Sequence, residues 1–174
     1  DILDLSKIEA GMMQLEKAPF SLNGLIASVD IMFREKARQK GLQFSVHVDP
    51  TIHDTLSGDP IRLTQILINL LSNAIKFTEK GFVRLLVKEG GSTADEIELQ
   101  FTIQDSGIGI APEKKAAIFE RFQQAEAATT RRFGGSGLGL SIVKQLVQLQ
   151  RGSIDVDTEW GKGASFMVTL PFTP

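Results

Sequence analysis

The chain has 174 residues, with 19 Lys and Arg against 21 Asp and Glu, two His and no Cys. A net charge of −2 argues against a domain built to hold nucleic acid, and the missing Cys excludes disulfides and thiolate chemistry while fitting a reducing compartment. No apolar run nears the roughly 20 residues of a membrane span, and a chain of this size buries about 70% of its unfolded surface, enough for one core.

The opening segment DILDLSKIEAGM places Ile2, Leu5, Ile8, Met12 and Leu15 three and four residues apart, a narrow helical seam suited to pairing with another helix. The chain opens on Asp1 rather than Met, so it is expected to be a piece of something longer. QLEKAPF predicts a short edge strand, closed by Pro19. Ser21 is a suitable N-cap for a helix carrying Leu22, Leu25, Ile26, Val29 and Phe33 on one face and ending near Gly41. LQFSVHV alternates like a half-buried strand, with a turn at Asp49–Pro50. Asp59–Pro60 starts a third helix, running to about Thr78. FVRLLVKE and EIELQFTIQD predict neighbouring antiparallel strands joined by Gly-Gly-Ser. The turn DSGIGIAP follows, then a short helix around Glu113 to Phe119 and a poorly patterned stretch from Gln123 to Gly135. A helix from about Leu138 to Leu149 and the strand pair RGSIDVDT and ASFMVTLPF close the chain. The predicted class is α+β, a two-layer arrangement with a mixed, mostly antiparallel sheet and helices on one face.

The third helix has two stripes. Leu63, Leu67, Leu70, Leu71, Ala74 and Phe77 belong against a sheet. Arg62, Gln65, Asn69, Asn73 and Lys76 form the other. An Asn oxygen is a hard ligand suited to Mg²⁺, and a Lys one turn away suits a phosphate. Alone, such a stripe reads more simply as a solvated helix face.

Two glycine loops complete the pattern. Asp105 ends a strand at DSGIGI, where a carboxylate can accept from an exocyclic amine and Gly107 and Gly109 let backbone approach a flat base. GGSGLGLS runs into a helix, offering backbone N–H groups and the positive dipole end to an anion. Neither loop matches a dinucleotide or P-loop fingerprint, and each in isolation is more often a plain turn.

In order, NLLSNAIKFT, DSGIGI, FERF, GGSGLGL and GKGASF resemble the N, G1, F, G2 and G3 boxes of the histidine-kinase ATP-binding domain, within the ATPase superfamily shared with gyrase and a heat-shock chaperone. The likeness covers about Ser21 to Pro171, and DILDLSKIEAGM resembles the end of a kinase dimerisation helix, leading through QLEKAPFSL into the catalytic domain as in hybrid-type sensor kinases. The resemblance thus implies a division into residues 1–18, dimerisation helix end and junction, and 19–174, a catalytic domain of the Bergerat ATP-binding fold.

The resemblance also implies roles. Asn73 holds the Mg²⁺ that bridges the ATP phosphates, Lys76 contacts phosphate, and Phe77 either packs near the adenine or is simply core. Asp105 receives the adenine amine, with Gly107, Gly109 and Ile110 forming the loop. Phe119 and Phe122 match the F box. Residues from Gln123 to Ser136 form a lid in which Arg131 and Arg132 can reach the γ-phosphate, and Gly135, Ser136, Gly137, Leu138 and Gly139 meet the phosphates. Gly161 and Gly163 match the last box.

Asn69 separates the branches: the gyrase and chaperone branch has a water-activating Glu at this position, and an amide is no general base. That favours phosphoryl transfer to a His over hydrolysis. His47, in a strand-like alternation, and His53, in a turn-rich stretch, lack the family's acceptor context, so the acceptor is expected on an upstream dimerisation domain outside this chain. The implied partners are that domain and a response-regulator receiver domain, with a homodimeric whole that is open to a membrane anchor elsewhere, and a cytoplasmic position, no nucleic acid and no direct membrane contact for this piece. Two alternatives remain: a degenerate nucleotide-binding or interaction module, and an anti-sigma-type serine kinase, against which the opening helix speaks.

Overall fold

The structure, a computed structural model, describes residues 15–107, 138–159 and 162–174. The expected opening helix, the short helix near Glu113 and the stretch from Gln123 to Gly135 lie outside those residues.

Strand β1 (Ala18–Ser21) leads directly into helix α1 (Leu22–Lys40). Ser21 caps that helix: its Oγ accepts from the Gly24 amide. Asp54 supports the same end, accepting from the Asn23 amide at 2.8 Å and from the Ser21 hydroxyl. This places a carboxylate at the positive end of the helix dipole. Gly41, at φ 78°, closes α1 by donating to the carbonyls of Ala37 and Arg38. Strand β2 (Gln43–Val48) follows, then β3 (Thr55–Gly58). The alternation of LQFSVHV predicts β2, whereas β3 is too short to have left a pattern. It forms by pairing antiparallel with β1, and its Ser57 also bridges Thr173 near the end of the chain.

Helix α2 (Pro60–Phe77) begins as expected, with Asp59 as cap. The Asp59 side chain is buried and accepts from the amides of Arg62 and Glu16, each at 3.0 Å. One carboxylate therefore starts the helix and also pins the chain 43 residues upstream. Strands β4 (Phe82–Ser92) and β5 (Ile97–Asp105) are an antiparallel pair with a bulge between Glu89 and Gly91. Helix α3 (Leu138–Leu149) and strands β6 (Ser153–Glu159) and β7 (Gly163–Phe172) complete the described elements.

The main sheet runs β2-β4-β5-β7-β6, with β2 parallel to β4 and the other pairs antiparallel. Along β4 and β5, Val83, Leu85 and Val87 and Leu99, Phe101 and Ile103 are buried at every second position. They face one apolar cluster with Ile26, Val29 and Phe33 of α1, the stripe of α2, and Ile142, Val143, Leu146 and Val147 of α3. The three described helices thus share one layer over one face of the sheet, as the sequence predicts.

On α2 the buried positions are Leu63, Ile66, Leu67, Leu70, Leu71, Ala74 and Ile75. Full burial of each large member stabilises the fold by about 1.5–3 kcal/mol, whereas a net hydrogen bond contributes about 1 kcal/mol. Core burial therefore sets the roll of α2, and its polar stripe is left for other work. Phe77, predicted on the apolar stripe, is only half-buried at the helix end.

Candidate functional site

Arg62, Gln65, Asn69, Asn73 and Lys76 are all half-buried along one side of α2. Arg62 donates to Gln65 Oε1 at 3.0 Å, so those two are engaged with each other. The side chains of Asn69 and Asn73 make no hydrogen bond among the described residues. With a rise of about 1.5 Å per residue, Asn73 and Asn69 stand roughly 6 and 12 Å before Phe77 along the axis.

The C-terminal end of α2 is fastened from outside. Lys40, the last residue of α1, donates from Nζ to the carbonyls of Ile75 at 2.5 Å and Lys76 at 3.0 Å. Terminal carbonyls of a helix have no intrahelical partner, and a cation there also complements the dipole. Burial lowers the Lys40 ammonium, with Glu79 opposing that shift.

Three segments meet just beyond this end. Gly107 lies so close to α2 that a Cβ on it would collide with the Phe77 carbonyl and stand 2.9 Å from Thr78 Oγ1 and 3.0 Å from Asp105 Oδ1. Gly163, at φ 111°, lies against the Asp105 carbonyl, where a Cβ would again collide. Ser106 ties the same point to the sheet: its Oγ accepts from the Phe82 amide at 2.9 Å, and its own amide donates to the Phe82 carbonyl. Asp105 is consequently held by the end of α2 on one side and the start of β7 on the other.

Its carboxylate accepts from the Gly107 amide at 2.8 Å. Burial pushes the Asp105 carboxyl up to about 6, against the opposing pull of the Gly107 and Ala164 amides. A carboxylate kept partly desolvated, and held by backbone, is prepared to accept from a donor arriving from outside the chain.

The structure therefore brings together Asp105, Gly107 and Phe77, with Gly163 behind them, at the end of the helix that carries Asn69, Asn73 and Lys76. Gly109, Ile110, Phe119, Phe122, Arg131, Arg132, Gly135, Ser136, Gly137 and Gly161 lie outside the described residues. Leu138 and Gly139 begin α3, and α3 packs beside α2. His47 and His53 are both exposed and form no part of this arrangement. Sequence reasoning missed Lys40 and Thr78: a terminal Lys and a Thr after a helix carry no signal beyond local capping.

Residues 58–174, which hold every described member of this arrangement, match the family described as histidine kinase-, DNA gyrase B- and HSP90-like ATPase. The chain belongs to that family. Among similar proteins, hybrid signal transduction histidine kinase L of Dictyostelium discoideum is 42% identical over 99% of the chain and 10% of its own length. The autoinducer 2 sensor kinase/phosphatase LuxQ of Vibrio cholerae is 42% identical over 98% of the chain and 20% of its own length. The signal transduction histidine-protein kinase BarA of Escherichia coli is 38% identical over 95% of the chain and 18% of its own. The chain thus spans at most a fifth of these relatives.

Among solved structures, full-length ShkA in complex with AMPPNP aligns with a TM-score of 0.84 at 33% identity, over 99% of this chain and 34% of that one. The catalytic domain of histidine kinase ThkA aligns with a TM-score of 0.70 at 29% identity, over 91% and 96%. ThkA in complex with the response regulator protein TrrA aligns at 0.69 with 25% identity, over 98% and 46%. The near-complete cover of the ThkA domain agrees with the α+β architecture described above.

Proposed function

We propose that this chain is the ATP-binding catalytic part of a two-component, hybrid-type sensor histidine kinase, and that it delivers the γ-phosphoryl group of ATP to a histidine of a dimerisation domain. The single observation that carries this reading is the junction of Asp105 with the end of α2: a half-buried carboxylate stands beside the end of the helix that carries Asn69 and Asn73. AMPPNP in the ShkA structure supports a triphosphate ligand.

Asp105 accepts from the exocyclic amine of adenine, and Phe77 lies at the same end of the helix. Lys76 neutralises phosphate charge as a point cation. The amide oxygen of Asn73 suits Mg²⁺, a hard cation that prefers oxygen and takes few protein ligands beside substrate phosphates and water. The ion supplies charge neutralisation on the triphosphate when bound.

In the transfer, an imidazole nitrogen of the acceptor bonds to the γ-phosphorus while the bond to the β–γ bridging oxygen breaks and ADP leaves. Positioning and charge stabilisation carry most of such a reaction. Asn69 offers no carboxylate to activate water, which protects the γ-phosphoryl from hydrolysis. The dimerisation domain and a receiver domain are the proposed partners; the ThkA–TrrA complex supports the second. The division at residues 18 and 19, a homodimeric whole and a cytoplasmic position for this part belong to the same reading. No described helix is long and apolar enough to cross a membrane.

Calorimetric titration of the chain with a non-hydrolysable ATP analogue, with and without Mg²⁺, tests the binding. Addition of a separate phosphoacceptor domain tests the transfer. Mg²⁺-dependent binding, with acid-labile phosphate on the acceptor and none on this chain, is expected; stoichiometric phosphate on the chain itself overturns the assignment of the acceptor.

A further inference from the structure

The helical layer covers one face of the main sheet, and no described element covers the other. Register sets the outward side chains of that open face in rows across the strands. In one row Arg84 on β4 and Asp157 on β6 stand apart, with Gln104 and Ser165 between them. In the next row His47 on β2 and Asp155 on β6 stand at opposite ends. Lys88 follows on β4, so the cations gather at the β2–β4 side and the carboxylates of β6 at the other. All five of these residues are exposed. On the helices, charges are matched within the chain, as Arg34 with Asp30 and Arg38 with Glu35. Arg84, Lys88, Asp155 and Asp157 form no ion pair among the described residues. The Arg84 guanidinium stacks on the Phe82 ring, 4.1 Å from its centroid, which steadies the cation and leaves its N–H groups unspent. Beside it His47, Phe82 and Leu86 help line a hollow of about 440 Å³.

We propose that this open face is a docking surface for a second copy of the same chain. A uniformly acidic partner spanning it meets Asp155 and Asp157, and a uniformly basic one meets Arg84 and Lys88. The partner that fits carries opposite charges at its two ends, and the same face turned over is such a partner. A two-fold axis parallel to the strands, between β5 and β7, reverses the strand order and keeps the rows. At roughly 4.8 Å per strand, Arg84 and Asp157 lie about 7 Å on either side of that axis. Each Arg84 therefore faces Asp157 of the second copy, while His47 and Lys88 flank its Asp155. Thr102 meets Met167 at the centre. A two-fold axis across the strands sets like charges together instead. Stacked sheets cross at about −30°, an offset of roughly 4 Å at these ends, which an Arg side chain spans. Glu98 also belongs to this face and stands beyond the Lys88 row, at the hairpin end of β5. The patch is roughly 20 Å on a side, smaller than the about 800 Å² per partner of a standard interface. The association is therefore weak, and salt loosens it. The nucleotide site takes no part in it.

The test follows the full chain by analytical ultracentrifugation from micromolar to millimolar concentration, as wild type, Arg84→Glu, Asp157→Lys and the double variant. Wild type is expected to form dimers as concentration rises. Each single reversal weakens dimerisation roughly tenfold or more. The double variant restores it, and so does an equimolar mixture of the two single variants, because both then bring only opposite charges together. Melting temperature and ADP affinity stay at wild-type values in all of them, which shows that the fold is intact. Where loss of the Phe82 stack lowers the melting temperature of Arg84→Glu, the pair Lys88→Glu and Asp155→Lys reads the same interface. A wild type that stays monomeric throughout overturns the proposal. Dimers that the single reversals leave unchanged assign association to another surface, such as the opening segment, and overturn it too. A loss that neither the double variant nor the mixture repairs overturns the pairing of the two ends.

Discussion

The ammonium of Lys40 sits 2.5 Å from the carbonyl oxygen of Ile75, joining the end of one helix to the end of the helix that bears Asn69, Asn73 and Lys76. Lys40 is the last residue of α1, and the Ile75 and Lys76 carbonyls are among those α2 cannot satisfy internally. Lys40→Met is expected to cost about 1 kcal/mol of stability and to weaken nucleotide binding by loosening Lys76 and Phe77. Lys40→Arg keeps the charge and recovers most of both. Urea unfolding and ADP titration on the two variants measure the difference.

Asp105 sets two opposite pH dependences. Its carboxyl titrates near 6 in the folded chain against an ordinary value of 3.8. Between those values the folded state holds more protons than the unfolded one, so its contribution to stability is greatest at low pH and is lost as pH rises through the folded pKa. Nucleotide binding runs the other way, because the amine requires the ionised acceptor: ADP affinity falls as pH drops below about 6. Asp105→Asn flattens both trends and weakens ADP binding by about 1–3 kcal/mol. Denaturation and titration series from pH 4 to 8 in both proteins, on the order of one measurement per half unit, resolve them.

Gly163 occupies left-handed backbone at φ 111° against the carbonyl of Asp105. Ala there is strained by its φ and by collision with the strand end, at a cost of about 1–3 kcal/mol. The displaced group is the backbone of Asp105, so nucleotide affinity is expected to fall as well. Equal affinity in Gly163→Ala would separate the strand end from the base site.

Leu67 and Asn73 share α2 but divide its work. Leu67 is 0% exposed, and Leu67→Ala is expected to cost 2–5 kcal/mol, as at other well-packed core sites, by about the usual range for a cavity. Asn73→Ala leaves stability within about 0.5 kcal/mol and abolishes Mg²⁺-dependent nucleotide binding. Chemical denaturation paired with titration reads both effects in each variant.

What the amino-acid sequence determined by itself is local. Ser21, Gly41 and the Asp59–Pro60 pair mark helix ends because capping acts within one turn, and the two stripes of α2 follow from a period of 3.6 residues. The order of the five motifs named the family and pointed to Asn73, Lys76 and Asp105. The tertiary structure alone decided the rest. Strand β3 exists because β1 lies beside it, and Asp59 holds Glu16 across 43 positions. Lys40 reaches the end of α2, and Thr78 and Asp105 are desolvated around Gly107, only through segments far apart in the chain. Burial and the pairing of distant backbone depend on every segment that packs at a point, and no local spacing encodes them.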